Sequence, residues 1–294
     1  STNTMKPAPF NYFVPTSVDE ALALLEEYSP DARLLAGGQS LVPMMNFRLS
    51  RPSHLIDLNF ISELAFISDG KDHISIGAMT RERAIEENKL VSSSIPLLHE
   101  ATQQIAHLPI RNRGTIGGSV SNADPAAEYP AALLALNSEM VVRSITATRR
   151  IKASDFFKGI METAIEPNEL LVEIIVPKPT LGSGSAFVEI ARRKGDYALA
   201  GVAAQMALSG ETVTQLSLSA CGVGSAPIKL SNAEKLILEG GVNENSMRSA
   251  ARAAAIEVDP ETDLHATSDY RRRLTAVLVH QALSKAKERA QGNN

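Results

Sequence analysis

Two glycine pairs carry the chemistry that this sequence suggests most directly. The first is Gly37-Gly38, within the run Leu35-Ala36-Gly37-Gly38-Gln39-Ser40-Leu41, and the second is Gly117-Gly118, within Thr115-Ile116-Gly117-Gly118-Ser119. Because glycine has no Cβ, such a turn can point several backbone N–H groups at one anionic oxygen. Two turns of this kind facing each other would hold both charges of one pyrophosphate. The alternative is that both pairs are ordinary turns at strand ends.

The residues around the glycine pairs argue against two common nucleotide sites. Neither run contains the lysine of a Walker-type phosphate loop. The adjacent glycines do not match the spacing G-x-G-x-x-G, and Pro43 stands where a phosphate-facing helix should already run. A Rossmann NAD site is therefore disfavoured.

Other reactive side chains form no recognisable site. The six histidines have no H-E-x-x-H or related spacing, so no metal site is predicted. Ser119 and Ser121 lie outside any G-x-S-x-G motif, which argues against a serine nucleophile. Cys221 is the only cysteine, and one thiol makes neither a disulfide framework nor a four-thiolate iron–sulfur site. Any such cluster must lie on another polypeptide.

The composition predicts a soluble globular protein. The chain has 294 residues, of which 44% are hydrophobic, enough to bury a substantial core. Its net charge of -4 provides no basic footprint for nucleic acid. No apolar run approaches the roughly 18 residues of a membrane helix, and the first residues lack the apolar core of a signal peptide. We therefore expect a cytoplasmic protein with no nucleic-acid partner and no transmembrane segment.

The elements that must position the first glycine pair follow from local patterns. A capping box at Ser17 and Glu20 begins an amphipathic helix, which ends at residues 29–31. An extended lead, residues 10–15, precedes this helix, and a buried strand, residues 33–36, follows it. The chain is thus expected to open as β-α-β, with the second strand running straight into the glycines.

The rest of the chain predicts an α+β fold. Residues 177–185 are rich in proline, glycine and serine and form the best linker, at which we place a domain boundary. Alternation on the C-terminal side predicts an antiparallel sheet with a helical layer. The expected strands are 73–78, 169–177, 201–208 and 213–221, and the expected helices are 80–90 with Thr80 as its cap, 97–107, 231–238, 245–258 and 268–289.

Four motifs in sequence order resemble the FAD-binding medium subunit of the molybdenum hydroxylases, the family of xanthine oxidase and carbon monoxide dehydrogenase. They are residues 34–41 followed by Pro43 and Asp57-Leu58, residues 115–119 followed by 123–128, residues 169–171, and residues 191–198. The resemblance implies an α+β chain with a two-subdomain FAD-binding fold of the vanillyl-alcohol-oxidase (PCMH) type, residues 5–57 and 58–178. A C-terminal α+β domain with a small antiparallel sheet and a helical layer, residues 179–290, would follow.

The resemblance also implies roles for individual residues. Asn122 and Asp124 would add polar contacts to FAD, and Glu128 matches a carboxylate that binds the sugar hydroxyls of the cofactor. Ile105 and Leu171 match residues that line the ring system or the adenine pocket. The remaining implied FAD contacts come from the two glycine runs: Leu35, Ala36, Gly37, Gly38, Gln39, Ser40, Leu41, Thr115, Ile116, Gly117, Gly118 and Ser119.

Tyr197 is the one residue to which the resemblance gives a catalytic role. It matches an aromatic side chain that covers one face of the flavin ring. The sequence also departs from the family pattern at two places. The run 187–193 contains Glu189 and has no basic residue before its arginine pair, where many relatives place one, and Gln39 stands where some relatives have histidine. Stabilisation of the reduced flavin by a lysine is therefore not expected at residues 187–191.

The implied function is electron exit from a molybdenum hydroxylase. FAD would bind to this chain, while a large subunit carries molybdopterin and a small subunit carries 2Fe–2S clusters, in a dimer of heterotrimers. Electrons would pass from those clusters through the flavin to an external acceptor. Two alternatives stay open: a stand-alone flavin oxidase with the same cofactor fold, and a non-catalytic assembly subunit that keeps the two loops only as turns.

Overall fold

The N-terminal part of the chain is a small parallel α/β unit, in a computed structural model that describes residues 5–292. Its elements are β1 (Asn11–Phe13), α1 (Val18–Tyr28), β2 (Ala32–Leu35), α2 (Leu41–Asn46) and β3 (His54–Asp57). β1 and β2 both pair in parallel with β3, which is the central strand. The Ser17 side chain caps α1 by accepting a hydrogen bond from the Glu20 N–H. The predicted β-α-β opening is confirmed.

The middle part combines a five-stranded antiparallel sheet, in the order β4-β5-β10-β6-β7, with a run of short helices. Its elements are β4 (Ile67–Asp69), β5 (His73–Gly77), α3 (Glu82–Glu87), α4 (Lys89–Ser94), α5 (Pro96–Gln104), α6 (Leu108–Arg113), α7 (Ile116–Asn122), α8 (Glu128–Ala135), β6 (Glu139–Arg143), β7 (Thr148–Lys152), α9 (Ala153–Phe156), β8 (Phe157–Gly159), β9 (Glu162–Thr163) and β10 (Leu170–Pro177). Side chains from the sheet, α5 and α8, such as Ile76, Leu98 and Leu133, form one core.

The C-terminal part is a four-stranded antiparallel sheet covered on both faces. Its elements are β11 (Ser183–Ala191), β12 (Ala198–Ser209), β13 (Thr212–Cys221), β14 (Ile228–Lys229), α10 (Ser231–Gly240), α11 (Glu244–Glu257) and α12 (Ser268–Ala290). Successive residues of β12 enter different cores, because Ala203 packs with the middle part while Val202 and Ala204 pack against the C-terminal helices. This sheet is therefore fixed rigidly against α5 and α8.

Most of the predicted elements are present, and the α+β fold class is confirmed. The strands expected at 201–208 and 213–221 are the antiparallel pair β12 and β13, and the three expected C-terminal helices are α10 to α12. The single helix expected at 80–90 was wrong. Two helices, α3 and α4, stand in its place, and Thr80 is buried, with its hydroxyl donating to the Phe66 carbonyl at 3.0 Å instead of capping a helix. Within residues 5–292, no helix is both long and apolar enough to cross a membrane.

Candidate cofactor site

The first glycine pair forms a bend with free backbone donors. β2 ends at Leu35, Gly38 adopts φ +77, and α2 begins at Leu41 with no side-chain cap from Ser40. The N–H groups of Gly38, Gln39 and Ser40 donate no hydrogen bond to the described part of the chain. Three consecutive backbone donors that have no acceptor in the described part of the chain and lie near the surface are what an anion-binding loop requires.

Gly37 is glycine because another segment of backbone lies against it. A Cβ at this position would stand 2.4 Å from the Arg113 carbonyl oxygen and 2.9 Å from the Gly114 Cα. Real Cβ atoms essentially never come so close to backbone atoms. The contact brings the first loop directly against the residues that precede the second one.

The second glycine pair is not the turn that the sequence suggested. Gly117 and Gly118 lie in the first turn of α7, where the Thr115 side chain accepts a hydrogen bond from the Gly118 N–H at 3.0 Å. The N–H groups of residues 116–119 all donate inside the protein, to Thr80 O, Ala78 O, Thr115 Oγ1 and Thr115 O. The hydrogen-bond donors that this segment can offer to a ligand are therefore side chains, chiefly those of Ser119 and Asn122.

The two glycine segments are adjacent, as expected. A Cβ on Gly118 would lie 3.3 Å from the Ala36 Cβ, so the first loop and α7 are in contact across the boundary between two units. A Cβ on Gly117 would stand 2.5 Å from the Ala78 carbonyl oxygen, which fixes α7 against the end of β5. Glycine thus permits close packing at Gly37 and Gly117, whereas Gly38 supplies the left-handed backbone of the bend.

A polar brace that the sequence did not reveal holds the two segments together. The Asn59 side chain donates to the Ala36 carbonyl at 2.8 Å and to Asp57 at 2.6 Å. Arg81 donates to Asn59 and, through its other terminal nitrogen, to the Arg113 carbonyl, each at 2.5 Å. Burial lowers the pKa of Arg81, and the neighbouring Arg113 lowers it further. The guanidinium also places positive charge behind the loops, on the side where a phosphate would need it.

A third wall comes from the C-terminal part. Tyr197 precedes β12, and its side chain is 64% exposed. The protein around it still raises its pKa, chiefly by partial burial. The charges of Asp124 and Glu128 raise this pKa further, and the nearby Ser40 side chain lowers it. Tyr197 thus lies beside both the first loop and the segment that follows α7. A cavity of about 1110 Å³ opens next to it, between Asp124, Arg192 and Gly222.

Glu128, the residue expected to bind the sugar hydroxyls, is buried. It is the first residue of α8 and is 6% exposed, and burial raises its pKa, with the charge of Glu189 on β11 adding to the rise. The sequence drew attention to Glu189 only as a departure from the family pattern. Two acidic side chains from different units therefore lie near each other.

The other predicted residues fall into two groups. Leu35, Leu41 and Asn122 are half-buried beside the loops, and Asp124 accepts a hydrogen bond from the Ala126 N–H at 2.9 Å. By contrast, the side chains of Ile116 and Leu171 are buried in the middle core, and Ile105 packs at its edge. The fold does not open these three side chains toward the loops, and contact between them and a cofactor stays a prediction.

The residues present fit a dinucleotide with a pyrophosphate. The first loop offers unpaired N–H donors, Arg81 supplies positive charge, and neither glycine run contains an acidic residue that would repel phosphates. Tyr197 provides an exposed aromatic face at one end of this cleft. Within residues 5–292, no group of three or more histidine, cysteine or acidic side chains is arranged to hold a metal ion.

Comparison with known proteins gives matches along nearly the whole chain. Residues 8–179 match the family described as FAD binding domain in molybdopterin dehydrogenase, and residues 185–286 match the CO dehydrogenase flavoprotein C-terminal domain. The chain is 41% identical over 287 residues to the 6-hydroxypseudooxynicotine dehydrogenase complex subunit alpha of Paenarthrobacter nicotinovorans, covering 97% of each chain. It is 38% identical over 282 residues to the carbon monoxide dehydrogenase medium chain of Hydrogenophaga pseudoflava, covering 96% of this chain and 98% of that one.

Solved structures show the same fold. A chain of carbon monoxide dehydrogenase from Hydrogenophaga pseudoflava, in a form that lacks the Mo-pyranopterin moiety of its cofactor, superposes with a TM-score of 0.94 at 38% identity. The match covers 96% of this chain and 99% of that chain. The likeness therefore extends over both the glycine loops and the C-terminal sheet.

Proposed function

This chain belongs to the FAD-binding medium subunits of the molybdenum hydroxylase family, and on that premise we propose that it is the electron-exit subunit of such a complex. The observation that carries the proposal is the first loop, whose unpaired N–H groups lie beside Arg81 and against α7. FAD supplies chemistry that no side chain has, because it can accept electrons singly and release them in pairs.

We assign the binding of FAD to three walls. The backbone of residues 36–40 would bind the pyrophosphate, assisted by the side chains of Ser119 and Asn122. Asp124 and Glu128 would accept hydrogen bonds from sugar hydroxyls, and Tyr197 would cover one face of the flavin ring and keep water from it. This arrangement is supported by the contact of the loops at Gly118 and Ala36 and by the exposed ring of Tyr197.

Electrons would reach the flavin from other subunits. We propose a large molybdopterin subunit and a small 2Fe–2S subunit as partners, assembled as a dimer of heterotrimers in the cytoplasm, with passage of the electrons to an external acceptor. Cys221, the only cysteine, is 1% exposed, and one thiol cannot supply the four ligands of a thiolate-bound 2Fe–2S cluster. The carbon monoxide dehydrogenase relatives are named as medium chains, which supports a role as one subunit among several.

The first test is to purify the chain alone and titrate it with FAD. We expect a yellow protein that binds FAD noncovalently in equal amounts and shows no turnover of small alcohols or amines. Turnover by the isolated chain would instead support a stand-alone oxidase. A folded chain that stays colourless at saturating FAD would overturn the proposal and favour an assembly subunit.

The second test concerns assembly. The chain, carrying an affinity tag, is produced together with a large molybdopterin subunit and a small 2Fe–2S subunit from the same organism, and the mass of the purified complex is measured by sedimentation. We expect the mass of two copies of each of the three chains. A complex with only one copy of each would refute the dimer, and recovery of the tagged chain alone would refute the partners.

A further inference from the structure

A buried arginine joins two strand ends next to Tyr197. Arg271 lies in the first turn of α12 and is 7% exposed. One terminal nitrogen of its guanidinium donates to the Leu199 carbonyl at 2.7 Å and to the Gly222 carbonyl at 3.0 Å. The other terminal nitrogen donates to the Asp263 carboxylate at 2.9 Å. The guanidinium therefore makes three hydrogen bonds, two of them to the backbone.

These backbone bonds lie where the sheet stops pairing the two strands. The ladder between β12 and β13 ends with Gly201 opposite Cys221. The two carbonyls that Arg271 binds lie just beyond this pair, at the start of β12 and after the end of β13. A hydrogen bond from a charged donor is stronger than one between neutral groups. The guanidinium thus holds the two strands together up to the residues that follow Tyr197.

The same junction is bonded to the middle part of the chain. The Gly222 N–H donates to the carbonyl of Pro125, the residue after Asp124, at 2.7 Å. Gly222 has φ +77, and a Cβ there would stand 3.0 Å from the Ala198 carbonyl oxygen, so its backbone packs closely against the start of β12. The start of β12, the first turn of α12 and the α7–α8 segment are therefore fixed to one another around Gly222.

Burial of this guanidinium has a cost that packing alone does not explain. A buried charge loses its hydration, and the Arg271 Nε–H is buried without an acceptor among residues 5–292. An apolar side chain would avoid this cost, but it could not bind two carbonyls. Arg271 also lines the cavity of about 1110 Å³ that opens beside Tyr197. Its place and its bonds both favour a role in fixing the backbone that carries Tyr197.

We propose that Arg271 is a positioning residue for Tyr197, because it fixes the backbone at the start of β12 and thereby the place of the aromatic ring. Tyr197 lies two residues before Leu199, and its side chain is 64% exposed, so the place of the ring depends on the backbone beneath it. That the ring then stays over the flavin rests on the proposed function, whereas the contact of Arg271 with the strand ends does not.

The chain offers a direct way to observe residue 197. It contains no tryptophan, so Tyr197→Trp introduces a single fluorescent reporter, and every variant is made in this parent chain. Arg271→Met removes all the donors, and Arg271→Lys keeps the charge but concentrates it at one point. Asp263→Asn removes the carboxylate that Arg271 binds and keeps the oxygen that accepts from the backbone of residues 265 and 266.

Arg272→Met is the matched control. Arg272 is the next residue of α12 and also donates to backbone carbonyls, but these lie at the end of α11, at Ala255, Ile256 and Val258. The control therefore removes a similar set of hydrogen bonds from the same helix turn without touching the start of β12.

The first experiment measures the fluorescence anisotropy decay of the reporter in the full chain without FAD. We expect more local rotation of the reporter with Arg271→Met than in the parent chain or with Arg272→Met. Arg271→Lys should give an intermediate result, and Asp263→Asn a smaller change in the same direction. Circular dichroism checks that each variant is folded, and Arg271→Lys and Asp263→Asn decide the question where Arg271→Met does not fold.

The second experiment measures the emission of the reporter at saturating FAD. A flavin in contact with an indole ring quenches its fluorescence, so the remaining emission is proportional to the fraction of rings that are not over the flavin. Loss of one charge-assisted hydrogen bond should raise that fraction about tenfold. We therefore expect about tenfold more remaining emission with Arg271→Met and no increase with Arg272→Met.

The outcomes separate this inference from the proposed function. Equal anisotropy decays in the Arg271 variants, in Asp263→Asn and in the parent chain overturn the positioning role. A reporter that becomes mobile with Arg271→Met in a chain that binds no FAD keeps the positioning role and overturns the proposed function. Equal remaining emission at saturating FAD in the parent chain and with Arg271→Met overturns the effect of Arg271 on the cover of the flavin.

Discussion

Gly37→Ala is the substitution that tests the cofactor site most directly. The added Cβ would stand 2.4 Å from the Arg113 carbonyl oxygen, where an ordinary contact begins at 3.4 Å, so the two backbones must separate by about 1 Å. The movement is resisted by the brace of Asn59 and Arg81, which ties both segments together at 2.5 to 2.8 Å. Overpacking of this kind costs about 1 to 3 kcal/mol of the free energy of unfolding.

The effect on FAD should be larger than the effect on folding. Opening the bend by this amount misplaces the N–H groups of residues 38–40 relative to the pyrophosphate. Each charge-assisted hydrogen bond lost costs about 1.5 to 3 kcal/mol, so we expect affinity to fall by about 10- to 100-fold. FAD dissociation constants are measured by fluorescence titration, and the free energy of unfolding is measured with urea in the same chains.

Two further variants make the result interpretable. Gly240→Ala is the control, because an added Cβ there meets nothing nearer than 3.8 Å and the backbone is ordinary. Gly38→Ala strains a residue with φ +77, whereas Gly38→Asn, which tolerates that conformation better, should recover part of the affinity. If Gly37→Ala folds and binds FAD as tightly as Gly240→Ala does, the close approach of the two segments does not shape the site.

Two other predictions concern Tyr197 and Glu82. Tyr197→Ala should change the flavin spectrum and the rate of reoxidation while leaving stability within about 0.5 kcal/mol, because the side chain is exposed; unchanged reoxidation and spectrum would eliminate the aromatic cover. Burial raises the pKa of Glu82 from its ordinary value of 4.5 to about 8, with Glu128 adding to the rise and Arg111 opposing it. As the pH rises, the unfolded chain loses this proton at a lower pH than the folded chain does. The free energy of unfolding must therefore fall as the pH rises from 4.5 to about 8. The fall amounts to a few kcal/mol, and Glu82→Gln should make it smaller. The free energy of unfolding is measured with urea at several pH values in both chains. The same pH dependence in the two chains would contradict this reasoning.

The parts of the fold that could be predicted have regular periodicity. β13 alternates apolar and polar residues, and α11 places Met247, Ala250 and Ala254 on one buried face, so both could be recognised from spacing. The helices α6, α7 and α8 could not be recognised from spacing. α6 and α7 are only six and seven residues long, and all eight residues of α8 are buried, so these helices show no amphipathic pattern. Their positions depend on contacts with the sheets, which local spacing does not encode.

The site shows the same division. The two glycine runs could be found in the sequence because each combines a glycine pair with a nearby serine. Their conformations could not be predicted, since one run forms a bend and the other begins a helix. Asn59 and Arg81 are 22 residues apart and look like solvated polar residues, and the Asp57-Leu58-Asn59 sequence at the end of β3 was the only available signal. Glu189 was noticed as a departure from the family pattern, while its proximity to Glu128 spans two units of the fold and could not be inferred from sequence.

An acidic wall next to a dianionic cofactor needs a physical explanation. Asp124 and Glu128 lie near Tyr197, and full ionisation of both would oppose the binding of a pyrophosphate. Burial reduces this conflict because it raises the pKa of Glu128 and so favours its uncharged form. The positive charge of Arg81 and the unpaired N–H groups then act on the phosphates largely unopposed. We therefore expect FAD to dissociate more readily as the pH rises and Glu128 loses its proton.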